Sequence, residues 1–492
     1  MKNDGAGWRW RIFDDRHLPW VSFLVATALY SFFGLLRLRL VSQEAFDFAI
    51  FDQAVMRYSH FQAPIVTIKG DSFNILGDHF HPIIALWAPL YWIWDNPAML
   101  IIGQAIIVAL TVFPLWRVVR RRWSGPLAAV FVGCALSAWP ILTMINYNVH
   151  EIAFALPLLA WAIEAMERRH IPTLAVSCVL LLLVREDMGA IVASIGVVWL
   201  IWSTRGHRRA ADWLTGALLI VGGLAAVFVI TGLVIPHFNS AGYQYWNFDS
   251  FGTGAKSALL GLLKRPWRAI WYLVWPPIKL PAYLLLLAPL LFLPLRSPYA
   301  LIALPLMAER MLSSREALWY DPANHYNALP WIVLVFAAFD AYSRLPEGWK
   351  SRLRARSKTI AKAAIATTLV LAAFVVAADV WISNGDESAR RAGLAQIPAN
   401  TCVAADDRLA AGLTRTNRVS LPGLSQHRQD FYLLDLSLRV VSLPTGVLPS
   451  QQAYDKAISL GFTEIWRDGQ VVILEAPDYH GPDAASCGSA AS

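Results

Sequence analysis

The chain is a succession of apolar runs, most of them long enough to approach a bilayer crossing, separated by short clusters of Arg and Lys. A membrane-spanning helix needs about 20 predominantly apolar residues, with a range of about 17–25. Such runs fall near residues 18–36, 97–116, 126–146, 151–166, 171–185, 188–203, 213–236, 279–295, 297–312, 328–343 and 363–382. They predict an α-helical polytopic membrane protein with about eleven spans in residues 1–382. Composition agrees: 57% of the 492 residues are hydrophobic and 15% are charged, against roughly 45–50% and 25% in soluble domains.

The net charge of +8 is unevenly placed. Arg117, Arg120, Arg121 and Arg122 form one basic run, Arg168 and Arg169 a second, Arg205, Arg208 and Arg209 a third, and Arg344 through Lys362 a fourth. One orientation puts all four in the cytoplasm, as the positive-inside rule requires. With no aromatic-basic groove module beside them, the charges exclude nucleic acid as a partner. Lys2, Arg9, Arg11 and Arg16 precede the first apolar run, which exceeds a signal peptide's core of about 7–15 residues. It reads as an uncleaved anchor in the inner or plasma membrane, with a cytoplasmic N-terminus. The loops 37–96, 146–151, 185–187, 237–278 and 313–327 then lie outside, with everything beyond about residue 383. The segments His81–Trp94 and Trp267–Ile278 are short, Pro-containing and apolar, which suits helices lying in the interface or re-entrant segments.

Residues 383–480 change character and predict a small extracytoplasmic α/β domain. Cys402–Ala405, Leu438–Val441 and Val471–Leu474 read as strands, and Asp468-Gly469 as a hairpin turn after Glu464-Ile465-Trp466. Gln451–Leu460 reads as a helix stopped by Gly461. Residues 481–492 read as a disordered tail. Cys402 and Cys487 could pair in an oxidising compartment, whereas Cys134 and Cys178 read as plain core residues.

The acids and histidines gather on the expected outer side: Asp47, Asp52, Asp78, His79, His81, His150, Glu151, Glu186, Asp187, Asp249, Asp321 and His325. Ionisable groups against a bilayer cost several kcal/mol unless partnered, so they mark function. Asp47 and Asp52, five apart, point about 140° apart on a helix and do not form a dyad. One faces a cavity; the other holds a backbone group or an Arg. An extended His79-Phe80-His81 directs both rings to one side. There they bind a divalent cation with Asp78, donate to a phosphate or sugar, or cap a helix beginning at Pro82. His150 and Glu151 line the site or cap the fourth span, where the helix dipole favours Glu151. Arg185, Glu186 and Asp187 either pair among themselves or line a polar cavity. His325 and Tyr326, before the tenth span, contact a head group or sugar, or belong to an aromatic belt. The motifs of Ser hydrolases and phosphate-binding loops are absent.

Phe46-Asp47-x-x-Ile50-Phe51-Asp52-Gln53, Leu76-Gly77-Asp78-His79-Phe80, Arg185-Glu186-Asp187 and His325-Tyr326 resemble a bacterial membrane family catalogued as domain of unknown function 2079. The resemblance spans nearly the whole chain. That family in turn resembles the GT-C superfamily of membrane glycosyltransferases, which implies a first outer loop with interfacial helices and a reaction drawing sugar from a polyprenyl-phosphate carrier. The acceptor is then a cell-envelope glycan, lipid or protein. The resemblance assigns the catalytic acid to Asp47, with Glu186 or Asp187 as a second acid. Asp52, Asp78, His79, His81, His150, Glu151, Arg185, His325 and Tyr326 become substrate contacts. His79 and His81 depart from the superfamily's usual residues at that place, leaving a divalent cation open as cofactor. Two other functions compete: a transporter or flippase of a lipid-linked precursor, and a non-enzymatic scaffold or sensor. A transporter would favour charges at the bilayer midplane and repeated halves, and neither is evident in this sequence.

Overall fold

The computed structural model describes residues 16–70, 72–203, 210–313, 319–321, 324–382, 386–424, 428–437 and 446–488. Helices dominate up to Ile382, and a five-stranded sheet follows. The first helix, Leu18–Arg39, starts with Pro19 in its first turn and ends with Arg37 and Arg39 in its last, where cations meet the negative end of the helix dipole. It packs against Ala98–Ala109, and a Cβ at Gly34 would fall 2.4 Å from Ile101 Cγ2. Met188–Ser203 and Ala210–Val229 approach equally closely. A Cβ on Gly189 or Gly223 would stand 2.4 Å from the other's carbonyl oxygen, as small residues allow at helix interfaces in membranes.

Three helices among the described residues are long and apolar enough to cross a membrane: Leu18–Arg39, Ala98–Arg120 and Ala210–Phe238. Two pairs bent by 49° and 65°, Gly125–Leu136 with Trp139–Tyr147 and Pro266–Val274 with Pro277–Leu290, raise the number to five. The expectation of about eleven spans is not reached on this criterion. The shortfall is one of length: Ala155–Arg168 and Ala328–Ser343 have 14 and 16 residues, fewer than a straight crossing needs, and are buried almost all round. Their apolar composition serves contact with other helices, and composition alone does not separate that from contact with lipid. Pro82–Trp87 and Ala88–Ile93 are two short helical pieces with Leu86, Trp92, Ile93 and Trp94 exposed.

In the C-terminal sheet, β1 (Cys402–Ala405), β2 (Arg418–Ser420), β3 (Phe431–Asp435), β4 (Thr463–Asp468) and β5 (Val471–Glu475) lie in the order β2-β1-β3-β5-β4. The first three are parallel and β5 is antiparallel to β3 and β4. The pleat sends alternate residues to opposite faces. Ala404, Tyr432, Leu434, Val472 and Leu474 pack with Ala453 and Ala457 of the helix Ser450–Ser459. Val403, Ala405, Phe431, Leu433, Val471 and Ile473 belong to the other face, with Ala389 of the helix Glu387–Gln396. Gly469 (φ +55°) makes the expected β4–β5 turn, and Gly461 (φ +89°) ends the helix. The expected strand at 438–441 lies outside the described residues. β3 was not expected: with every residue buried it has no alternation to read. Cys402 and Cys487 form a disulfide with Cα atoms 5.8 Å apart. The expectation of a disordered tail is therefore corrected for 481–488, which carry the short helical turn Ala484–Gly488 tied to β1.

Candidate active site

The site is assembled around a wide helical turn, Ala45–Ala49, which leads into the helix Ile50–Ser59. Asn148 holds this turn, its Nδ2 donating to Phe46 O at 3.3 Å and to Glu44 Oε2 at 3.2 Å. Gln104 pins the facing strand of chain: it accepts from His150 N at 2.7 Å and donates to Asn148 O at 3.1 Å. His150 Nε2 then lies 3.7 Å from Asp47 Oδ2, and His150 Nδ1 lies 2.7 Å from Glu151 Oε2. Burial pushes the Asp47 carboxyl above the usual carboxylate range, Glu151 and Glu44 push the same way, and His150 and Lys69 oppose them.

Arg185 continues the network. Its Nη1 is 3.5 Å from Glu151 Oε1, while Nε and Nη2 donate to Asp187 Oδ1 and Oδ2 at 2.8 and 2.6 Å. Arg185 and Asp187 thus form a planar fork, and Asp187 also hydrogen-bonds Glu309. Glu186 faces the first loop instead, accepting from Phe80 N at 3.1 Å and meeting His79 Nδ1 at 2.6 Å. Burial alone would lower the His79 pKa, but the charge and hydrogen bond of Glu186, with Asp78, raise it to about 9. The ring is an imidazolium at neutral pH. It stacks on Tyr245 at 4.0 Å, whose hydroxyl donates to Asp78 Oδ1 at 2.7 Å. Lys69 pairs with Asp78. Against burial, Lys69 and His79 hold the Asp78 carboxyl below the usual range.

His81 differs from His79. It is buried, packs on Phe51 at 5.4 Å, leaves Nδ1 without a hydrogen-bond partner, and is lowered by burial to about 4. The two rings do not share a side as expected, because residues 78–79 form a turn and bend rather than a strand. One is charged and engaged; the other is neutral and enclosed. This donor set does not fit a cation, and among the described residues no group of three or more His, Cys, Asp or Glu has the geometry to hold one.

His325 sits in the turn His325–Asn327, buried, with ring centroids 4.4 Å from His150, 4.5 Å from Tyr147 and 4.0 Å from Tyr326. Among the described residues neither ring nitrogen has a hydrogen-bond partner. Burial holds it neutral, well below the usual histidine range. Buried polar atoms left unpaired in this way suit a ligand. Arg310 fixes the turn by donating to Tyr326 O at 3.3 Å and Asn327 Oδ1 at 3.0 Å.

Asp47, His150, Glu151, Arg185, Asp187 and His325 form one chain of contacts, joined through neighbouring Glu186 to His79 and Asp78. Asp52 does not join it. Buried, it accepts from Tyr91 Oη at 2.5 Å and from Arg415 Nη2 and Nε at 2.8 and 3.2 Å. The expectation of Asp52 as a substrate contact gives way to its other expected role, holding an Arg. Sequence reasoning missed Lys69, Tyr147, Tyr245, Glu309, Arg310 and Arg415. Glu309-Arg310 had a signal, two charges inside an apolar run.

The chain matches the model of the family described as "Predicted membrane protein (DUF2079)" over residues 37–440. No curated protein matches it. Two crystal structures of ArnT from Cupriavidus metallidurans are similar to it. The form bound to undecaprenyl phosphate aligns at TM-score 0.49 and 13% identity, covering 94% of this chain and 99% of that one. The apo form aligns at 0.46 and 14%, covering 96% and 99%. The family match takes in the first loop, the Arg185–Asp187 junction and His325, and the chain belongs to this family of membrane proteins.

Proposed function

We propose that the protein is a membrane glycosyltransferase that moves a sugar from a polyprenyl-phosphate carrier to an acceptor on the extracytoplasmic side. The observation that carries this reading is the convergence on Asp47: a half-buried carboxylate beside an imidazole, with cationic groups close behind it. The reaction class comes from the resemblance of the sequence to GT-C enzymes. The outer location is supported by the distribution of Arg and Lys and by the Cys402–Cys487 disulfide, which belongs in an oxidising compartment. Under this reading the shorter and bent apolar helices complete the expected crossings.

Asp47 takes the proton of the acceptor hydroxyl as its oxygen bonds to the anomeric carbon. The bond from that carbon to the phosphate oxygen breaks, its electron pair leaves with polyprenyl phosphate, and the anomeric centre inverts. Arg185, His79 and Lys69 supply positive charge where the phosphate charge grows. His325 offers two unpaired ring nitrogens to the sugar. The C-terminal domain borders the same loop and completes the acceptor side.

The test uses the full chain in proteoliposomes with a labelled polyprenyl-phosphate sugar and envelope acceptors. Label in a new product, with equal release of polyprenyl phosphate, supports transfer. Label that crosses the bilayer still attached to its carrier contradicts it and supports a flippase.

A further inference from the structure

The C-terminal domain reaches back to the first loop at two points on one segment. Asp407 Oδ1 accepts from Phe46 N at 3.1 Å, the amide immediately before Asp47. Arg415 holds Asp52 through two hydrogen bonds, also pairs with Asp95, and lies with its guanidinium 4.8 Å from the Tyr91 ring centroid. Both residues lie between β1 and β2, Asp407 in the short helix Asp407–Ala410 and Arg415 in the turn that follows it. Asn148 grips the opposite side of the same turn. The turn bearing Asp47 is therefore held between the helical part and the C-terminal domain, and its helix Ile50–Ser59 is locked one turn further on.

We infer that Asp407 and Arg415 are positioning residues by which the C-terminal domain holds the Ala45–Ser59 segment, and with it Asp47, against His150. The link to catalysis rests on the proposed reaction, whereas the clamp does not. A carboxyl oxygen on the Phe46 amide fixes the Ala45–Phe46 peptide, while Asn148 holds Phe46 O in the next peptide, the one that carries Asp47. The Arg415–Asp52 pair is desolvated at Asp52, so removal of Arg415 leaves a buried charge with no cation, held by the Tyr91 hydroxyl. The clamp gives an otherwise separate soluble domain a role in aligning the acid.

Hydrogen exchange on the intact chain in nanodiscs tests this without any assay of activity. In Asp407→Ala, peptides covering residues 45–59 are expected to exchange about tenfold faster, the loss of one hydrogen bond, while β3 and β5 keep their protection. Asp407→Asn retains an acceptor oxygen and should stay within about twofold of the parent. Arg415→Ala should loosen the same peptides. Unchanged protection of 45–59 in Asp407→Ala, or equal losses in β3 and β5, overturns the clamp. With sugar transfer measured, Asp407→Ala should lower kcat at constant KM; a raised acceptor KM at constant kcat overturns positioning in favour of acceptor binding. An inactive parent chain with the exchange pattern intact overturns the reaction and supports the clamp.

Discussion

His150 bridges two carboxylates, with Nε2 3.7 Å from Asp47 Oδ2 and Nδ1 2.7 Å from Glu151 Oε2. Glu151 lies against one nitrogen of the ring, and the ring turns its other nitrogen toward Asp47, the acid proposed to meet the acceptor. This is the logic of a base oriented by a third group. His150→Gln should lower turnover by about tenfold, the loss of one polar contact to the proposed base and less than the loss of the base itself. Glu151→Gln should lower it less, with acceptor KM unchanged in both. Steady-state kinetics on reconstituted protein decide this.

The His79–Glu186 contact predicts a pH dependence. Pairing raises His79 to about 9 in the folded chain, against an ordinary value of 6.5. The stabilisation is fully present below pH 6.5 and is lost as pH rises through about 9. The melting temperature should therefore fall across pH 6.5 to 9.5, and Glu186→Gln should flatten that fall. Thermal unfolding in nanodiscs at stepped pH measures both slopes.

The reading of the sequence succeeded where chemistry is local. The β4–β5 hairpin followed from Asp468-Gly469 and the helix stop from Gly461, whereas Asp47 sits in the wide turn Ala45–Ala49 and not on the α-helix that bears Asp52. It failed where a partner lies far along the chain. Nothing near Asp52 announces Arg415, and nothing near His79 announces Glu186 or Tyr245. His79 and His81 looked alike because spacing carries no information on burial; the turn at 78–79 sent one to a carboxylate and the other into the core. The count of about eleven spans is not confirmed by helix length, because several apolar helices are shorter than a straight crossing.

Arg415→Ala should destabilise the protein by about 3 kcal/mol, since it leaves the buried Asp52 carboxylate without its cation. Tyr91→Phe removes a single hydroxyl donor and should destabilise it by about 1–1.5 kcal/mol. The two losses should be non-additive, because both groups serve one carboxylate. Denaturation of the single and double variants provides the cycle.

Reduction of Cys402–Cys487, which closes a separation of 85 residues, should destabilise the C-terminal domain by roughly 2–4 kcal/mol. Cys487→Ser should do the same and should release residues 481–488. Limited proteolysis with and without reductant reads this directly, as new cleavage beyond Ala476.

Asp47 carries the account, and Asp47→Asn in proteoliposomes tests it most directly. The variant should insert, melt within a few degrees of the parent and lose sugar transfer from polyprenyl phosphate by at least about 10²-fold. Transfer at the parent rate would contradict the account and remove Asp47 from the chemistry.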